Sequence, residues 1–317
     1  VIFDAPVDNK EYVTRFACIK EAVKELFKEK QPSVSYVAQP PQTMGLVMEV
    51  HEVQLTEQDH IEYRILEDLP YITIEREGCK RLFLSGVTGD VLRQNIREQS
   101  HGVFSRIAGV LETEGMPVSS IIRQWNYIEK ITACDATGHQ HYQDFNDVRT
   151  LFYASSEWES GYPAATGIGT QHGGVLIDFN AVSGEVDIAP LDNDWQRAAH
   201  VYSDEVLISH RADRKKGTPK FERGKSLSDR RQEVIYISGT AAIRGEESVT
   251  TGDVLSQTEI TLENIQHLIG LEEGREKLPE HSGKLGLLRV YLKNEEDVSA
   301  VKADLDKLCP DIPIVYL

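Results

Sequence analysis

The sequence has no apolar run near the roughly 18 residues needed to cross a bilayer. Its opening residues, Val1-Ile2-Phe3-Asp4, show no basic n-region and no apolar h-region, so no leader is read there. Methionine does not come first, and the chain is expected to begin inside its gene product. Cysteine is scarce. Cys18, Cys79, Cys134 and Cys309 are widely scattered and form no C-x-x-C pair, which argues against a zinc site or a disulfide framework. The four thiols are expected to be reduced and buried, which favours a cytoplasmic home. Positive charge is in deficit: 34 Lys and Arg against 51 Asp and Glu leave a formal charge of −17. Such a chain repels a phosphate backbone, so no nucleic-acid partner is expected. Neither a membrane partner nor a cofactor nor a metal is expected.

What is present suits a globular protein. Apolar residues make up 40% and charged residues 27% of 317, a length with room for two cores. The scarce positive charge is gathered between Arg211 and Arg231. Nine basic residues stand there (Arg211, Arg214, Lys215, Lys216, Lys220, Arg223, Lys225, Arg230, Arg231), opposed only by Asp213, Glu222 and Asp229. Such an island could hold a small anion or could be a solvated loop.

Residues 11–30 read as an amphipathic helix, with Tyr12, Phe16, Ile19, Val23, Leu26 and Phe27 at helical spacing. Gln39-Pro40-Pro41-Gln42 breaks the chain. Residues 46–55 and 63–75 then alternate as strands do. A buried strand, 81–86, ends in a Ser85-Gly86 turn. Gln99-Ser100 opens a helix carrying Val103, Phe104, Ile107, Val110 and Leu111. A strand at 121–128, a helix from about Tyr142 to Tyr153, and strands at 163–169 and 174–179 follow.

The same order recurs. Residues 234–239 are strand and Ser-Gly turn, and Gln257-Thr258 opens a helix with Leu262, Ile265, Leu268 and Ile269. A strand at 287–292, a helix at 296–308 and a strand from Pro313 complete the copy. Leu82 aligns with Ile235, while Ile107 aligns with Ile265, five positions further on. Extra residues in a loop are what a true repeat tolerates. Phe179 lies well beyond Pro163, but Leu317 lies only four positions past Pro313, so the second copy is expected to lack its closing strand. The reading divides the chain into an N-terminal α/β extension (1–78), a first module (79–195), a basic linker (196–232) and a second module (233–317).

Several strings then form a pattern. Ser238-Gly239-Thr240-Ala241-x-Ile243, Gly252-Asp253-x-x-x-Gln257-Thr258 and Thr261-Leu262-x-Asn264-Ile265 resemble the signature of the YjgF/RidA superfamily. That resemblance implies an α+β fold of mixed sheets, each with two helices on one face, often trimeric with ligand clefts between subunits. A narrower pattern covers roughly residues 80–317. Trp125-Asn126-Tyr127-Ile128 is followed by Tyr142-x-x-Phe145-Asn146-x-x-Arg149, then by residues 163–170 (PAATGIGT). Gln196-Arg197-x-x-x-x-Tyr202 and Thr218-Pro219-x-Phe221-x-Arg223 come next. This order resembles the chorismatases, two-module relatives that hydrolyse the enolpyruvyl ether of chorismate. The products are pyruvate and a dihydroxycyclohexadiene carboxylate or a hydroxybenzoate.

Chorismate carries two carboxylates, which arginine grips through paired hydrogen bonds. The resemblance therefore implies Arg149 and Arg223 as substrate clamps, with Tyr142 beside Arg149. Ser238, Gly239 and Thr240 could offer donors to an anion, Gly167 could admit a ligand close to the backbone, and Tyr291 could line the site. The general acid is not assigned. The resemblance implies a glutamate after a Cys-Arg pair in a strand beyond Leu317. Two other readings stand: an enamine/imine deaminase, against which Ala165 and Val315 occupy the positions of that activity's arginine, and a non-catalytic small-ligand-binding protein. The assembly is expected to be a homotrimer, by the family's habit, or a monomer whose two modules satisfy each other.

Overall fold

The computed structural model describes residues 1–42, 44–201, 218–249, 252–270 and 285–317. Arg211, Arg214, Lys215 and Lys216 of the basic island, and Tyr202, lie outside them. Strands β1 (Ile2–Phe3), β2 (Tyr36–Val37) and β3 (Val47–Met48) form a small N-terminal sheet, with β1 in the middle. Helix α1 (Asn9–Phe27) packs on it through Tyr12 and Phe16, whose rings meet Tyr36. Asp8 starts α1 by accepting the Glu11 N–H at 2.8 Å. The strand expected over 46–55 is only β3, two residues long.

The first large sheet has six strands: β4 (His60–Leu66), β5 (Leu69–Arg76), β6 (Cys79–Thr88), β7 (Ile121–Glu129), β8 (Ala164–Thr170) and β9 (Val175–Gly184). They lie in the order β4-β5-β6-β9-β7-β8. All neighbours are antiparallel except β7 and β8. The hairpin β4–β5, read from sequence as part of the extension, belongs to this sheet. Helices α2 (Ile96–Thr113) and α3 (His141–Tyr153) cover one face. Val103, Phe104, Ile107, Phe145 and Val148 meet Leu82, Leu84, Ile177 and Phe179 there in one dry core. Helix α2 starts three residues before Gln99, because Asn95 and Glu98 form a reciprocal capping box.

Ser85-Gly86 is not a terminal turn. The register with β9 shifts there, and β6 runs on to Thr88 past a bulge. Gly86 has φ 75°, and a Cβ on it would lie 2.2 Å from the Val34 carbonyl oxygen. Its N–H donates to Asp178 Oδ1 at 2.8 Å, and Ser35 donates to the same carboxylate. The bulge thus fastens the N-terminal segment to the first sheet.

The second copy repeats the order. Strands β10 (Asp187–Leu191), β11 (Gly224–Ser228) and β12 (Glu233–Ile237) form an antiparallel sheet in that order, equivalent to β4-β5-β6. The segment read as a linker therefore contributes a central strand, β11. A short hairpin, β13 (Ile243–Arg244) with β14 (Glu247–Ser248), occupies the loop where extra residues were expected. Helix α4 (Val254–Leu268), capped by Asp253, and helix α5 (Val298–Leu308) pack on β15 (Leu288–Val290) and β16 (Ile314–Tyr316). β15 and β16 pair in parallel, as β7 and β8 do. Among the described residues no strand stands between β12 and β15, where β9 stands in the first copy.

All four cysteines are free thiols. Cys79 and Cys309 are buried as expected, but Cys18 and Cys134 are exposed. No helix among the described residues is long and apolar enough to cross a membrane.

Candidate functional site

A cavity of about 2,080 Å³ lies where the second copy docks against the first. This exceeds the few hundred Å³ to about 1,000 Å³ of an ordinary small-molecule site. Much of it is an apolar trough that runs under the C-terminal half of α1 and between β12 and β15. The remainder is polar. Tyr142, Arg149, Gly167, Ser238, Gly239, Thr240 and Tyr291 all line the cavity. Residues up to 149 positions apart in sequence thus meet in one cleft.

Arg149 is nearly fully buried at 2% exposure. Its guanidinium donates from Nη2 to Asn146 Oδ1 at 2.6 Å and lies 5.3 Å from the Phe145 ring, while its Nε finds no acceptor. No carboxylate among the described residues lies within ion-pair distance of it. An exposed helix arginine would show the opposite on both counts. Gly167 lies against the Tyr142 ring, where a Cβ would make only an ordinary contact, 3.4 Å from Cε2.

Ser238 and Gly239 have their donors engaged by the protein. Ser238 Oγ accepts the Ala165 N–H at 2.8 Å and donates to the Glu222 carbonyl at 2.5 Å. The Ser238 N–H goes to the Arg223 carbonyl and the Gly239 N–H to that of Ala165. These bonds dock the second copy on the edge of β8. Gly239 is needed for the close approach, because a Cβ would come 2.7 Å from Thr166 Cγ2. Thr240 Oγ1 accepts from Gln196 Nε2 at 3.1 Å and keeps its own proton.

Arg223 does not line the cavity, although its neighbour Phe221 does. It is buried and donates from Nη2 to the Arg197 carbonyl at 2.6 Å. The described remainder of the basic island is largely held by the protein. Arg230 pairs with Glu185, Arg231 with Glu77, and Lys225 donates to the carbonyls of Gly161 and Tyr162. Its described members thus do not form one open anion-binding surface.

To Trp125 and Tyr127 of the quoted motif the structure adds Arg123 and Arg289, which the sequence reading passed over. Arg123, Trp125 and Tyr127 alternate along β7 and point away from α2 and α3, and Arg289 on β15 comes to meet them. Arg289 donates to both oxygens of Glu49, at 2.7 and 2.5 Å, and to the Tyr127 hydroxyl at 2.8 Å. Burial raises the Tyr291 hydroxyl to a pKa of about 12 and pushes that of Tyr127 well above its usual value. Burial also raises the Asp178 carboxyl, although the Ser35 and Gly86 donors oppose this. The period-two run Arg-x-Trp-x-Tyr was the available signal, because an arginine on the buried face of a strand is rarely a packing residue.

Two copies of one strand-and-helix unit, meeting at one cavity, define a tandem α+β protein. Known proteins narrow this class. Residues 50–181 match the family model described as Chorismatase FkbO/Hyg5-like, N-terminal. A chorismatase of Streptomyces rapamycinicus is 34% identical over 211 residues, 63% of this chain and 58% of the relative. A 3-hydroxybenzoate synthase of Streptomyces hygroscopicus is 32% identical over 231 residues, 69% of this chain and 64% of the relative. The chain thus matches less than two thirds of the length of these relatives. A chorismatase crystal structure superposes with a TM-score of 0.63 at 23% identity, over 81% of this chain and 74% of that one, and shares the fold. Residues 50–181 are thus similar to the N-terminal domain of that chorismatase family, and the chain resembles chorismatases over the lengths given.

Proposed function

We propose that this protein hydrolyses the enolpyruvyl ether of chorismate, releasing pyruvate and a dihydroxycyclohexadiene carboxylate or a hydroxybenzoate. The observation that carries the reading is Arg149: a buried guanidinium without a carboxylate partner among the described residues, lining a cleft beside Tyr142 and Gly167. The relatives named above are chorismatases and a 3-hydroxybenzoate synthase, which supports the same substrate class. In the reaction a proton adds to the methylene carbon and water attacks the resulting oxocarbenium carbon. The hemiketal then collapses, breaking the bond to the ring oxygen. Arg149 would hold a carboxylate through its free Nε edge while Tyr142 shapes the wall. Arg223, buried behind Phe221, would stiffen that wall. The two buried carboxyls that line the cavity are committed, Glu49 to Arg289 and Asp178 to Ser35 and Gly86. No proton donor is assigned among the described residues, and the resemblance implies a glutamate for that role.

The reading includes a cytoplasmic home, with which four free thiols agree. It also includes a site lined by both copies of one chain, in a monomer or in a homotrimer. An imine deaminase is the weaker alternative: Ala165 and Val315 supply no arginine on β8 or β16. Incubating the full-length protein with chorismate and coupling pyruvate to lactate dehydrogenase tests the proposal. Stoichiometric pyruvate supports it. Absence of pyruvate, together with hydrolysis of 2-iminobutyrate, would replace it with the deaminase.

A further inference from the structure

Arg123 and Arg289 come from equivalent strands of the two copies and converge on one indole. Their guanidinium carbons lie 4.0 and 4.1 Å from the centre of the Trp125 ring. Both arginines line the cavity. Two like charges this close inside a protein interface need compensation, and the structure compensates only one. Arg289 is held on two nitrogens by Glu49 and on the third by Tyr127. Arg123, 4% exposed, meets only neutral acceptors: the Gln124 carbonyl at 2.9 Å, the Ala164 carbonyl at 3.2 Å and Thr166 Oγ1 at 2.7 Å. No carboxylate among the described residues pairs with it.

A guanidinium keeps its proton even where burial and a neighbouring cation act against it. Arg123 is therefore a buried cation at the cavity wall without an ion-pair partner among the described residues. An unpaired buried ion is strongly unfavourable unless a counter-charge arrives. The three hydrogen bonds of Arg123 use both Nη1 protons and one Nη2 proton. The Nε proton and the second Nη2 proton remain, and together they form the edge that meets a carboxylate through two parallel bonds. Arg149 lies on the other side of β8, whose Thr166 bonds Arg123 and whose Gly167 meets Tyr142.

We propose that Arg123 is a second anion anchor of the cleft. It takes one carboxylate of a dianionic ligand on the interface side of β8, while Arg149 takes the other on the helix side. Glu49 fixes the selectivity by occupying Arg289, so that one guanidinium rather than two is open at the interface. This rests on the functional reading above only for the identity of the ligand, because a buried guanidinium at the cavity wall that meets only neutral acceptors predicts an anion site in any case.

The test uses the full-length protein, its Arg123→Gln variant and a Trp125→Phe control. Chorismate is titrated against turnover, and separately against tryptophan emission and melting temperature. The loss of one charge-assisted pair should raise the KM for chorismate about 10- to 100-fold. It should also abolish both the Trp125-dependent emission change and the chorismate-induced rise in melting temperature. The ligand-free variant should melt no lower than the parent, since a buried cation that meets only neutral acceptors has been removed. A purely structural arginine would instead lower the ligand-free melting temperature and leave KM within about threefold. That result overturns the proposal. Where the parent neither turns over nor binds chorismate, the functional reading fails, and the anchor is read with sulfate and citrate. Saturable quenching of Trp125 in the parent but not in Arg123→Gln supports it; no response to either anion refutes it.

Discussion

Replacing Glu49 by Gln keeps the size and hydrogen-bonding capacity of the side chain but removes the charge that balances Arg289. Both side chains are nearly dry, at 6% and 4% exposure. Burial alone would push the Glu49 carboxyl up, but hydrogen bonds from His51 and Arg289 more than reverse this and hold it at about 2. Against an ordinary value of 4.5, this depression corresponds to roughly 3 kcal/mol at neutral pH. Breaking buried ion pairs by removing one partner typically costs 3–5 kcal/mol, roughly the same magnitude. The folded-state pKa is depressed, so this stability is complete above the unfolded value and is lost as pH falls through the window from about 4.5 to about 2. At pH 3.5 roughly a third to a half of it should be gone. The measurement is urea unfolding of parent and Glu49→Gln at pH 7 and pH 3.5. The gap between them should be about 3 kcal/mol at pH 7 and clearly narrower at pH 3.5. A gap under about 0.5 kcal/mol, or one that does not change with pH, would refute a buried, energetically active pair.

Three further outcomes are expected. Arg149→Gln should lower kcat/KM for chorismate by about 10- to 100-fold, with most of the change in KM, as steady-state pyruvate assays would show. Gly86→Ala should destabilise by about 2–4 kcal/mol in urea unfolding, because φ 75° strains any side chain and the new Cβ would collide with the Val34 carbonyl. Burial lowers Lys225 from its usual value to about 8. The unfolded chain therefore binds the extra proton between about pH 8 and pH 10.5, and stability should rise with pH across that window. The urea midpoint of the parent should accordingly gain on that of Lys225→Met between pH 8 and pH 9.5.

The helices and central strands were legible because their side-chain periods are set by burial on one face. Even so, the openings of α2 and α4 were each read three residues late. Gln99-Ser100 and Gln257-Thr258 mark the first buried turn, but the caps that start the helices are Asn95 and Asp253. The hairpin β4–β5 and strand β11 were assigned outside the modules, since strand pairing is a long-range event that local alternation does not report. Arg149 and Tyr142 were visible through motif order. Arg123 and Arg289 were not, because an arginine within a strand pattern looks like an edge residue until the partner sheet buries it. The bulge at Gly86 hid behind a Ser-Gly pair that reads equally well as a turn.

The duplication and the N-terminal extension have one electrostatic explanation. Each copy carries two aliphatic residues and then an arginine on equivalent strands, Ile121-Ile122-Arg123 and Leu287-Leu288-Arg289. Docking the copies brings both charges to Trp125, and two bare guanidiniums in a dry interface would repel each other and oppose docking. Glu49 arrives from the extension, whose β1 strand is paired to β3 just ahead of it. Its carboxylate cancels one charge and leaves the other. The extension is therefore part of the cleft's charge balance. Its attachment at Gly86 through Ser35 and Asp178 helps to keep that segment in register. An extension free to drift would release Arg289 as a second open cation and erase the asymmetry between the two arginines. The affinity of the cleft for a dianion thus depends on a residue, Glu49, that the family's motif order does not include.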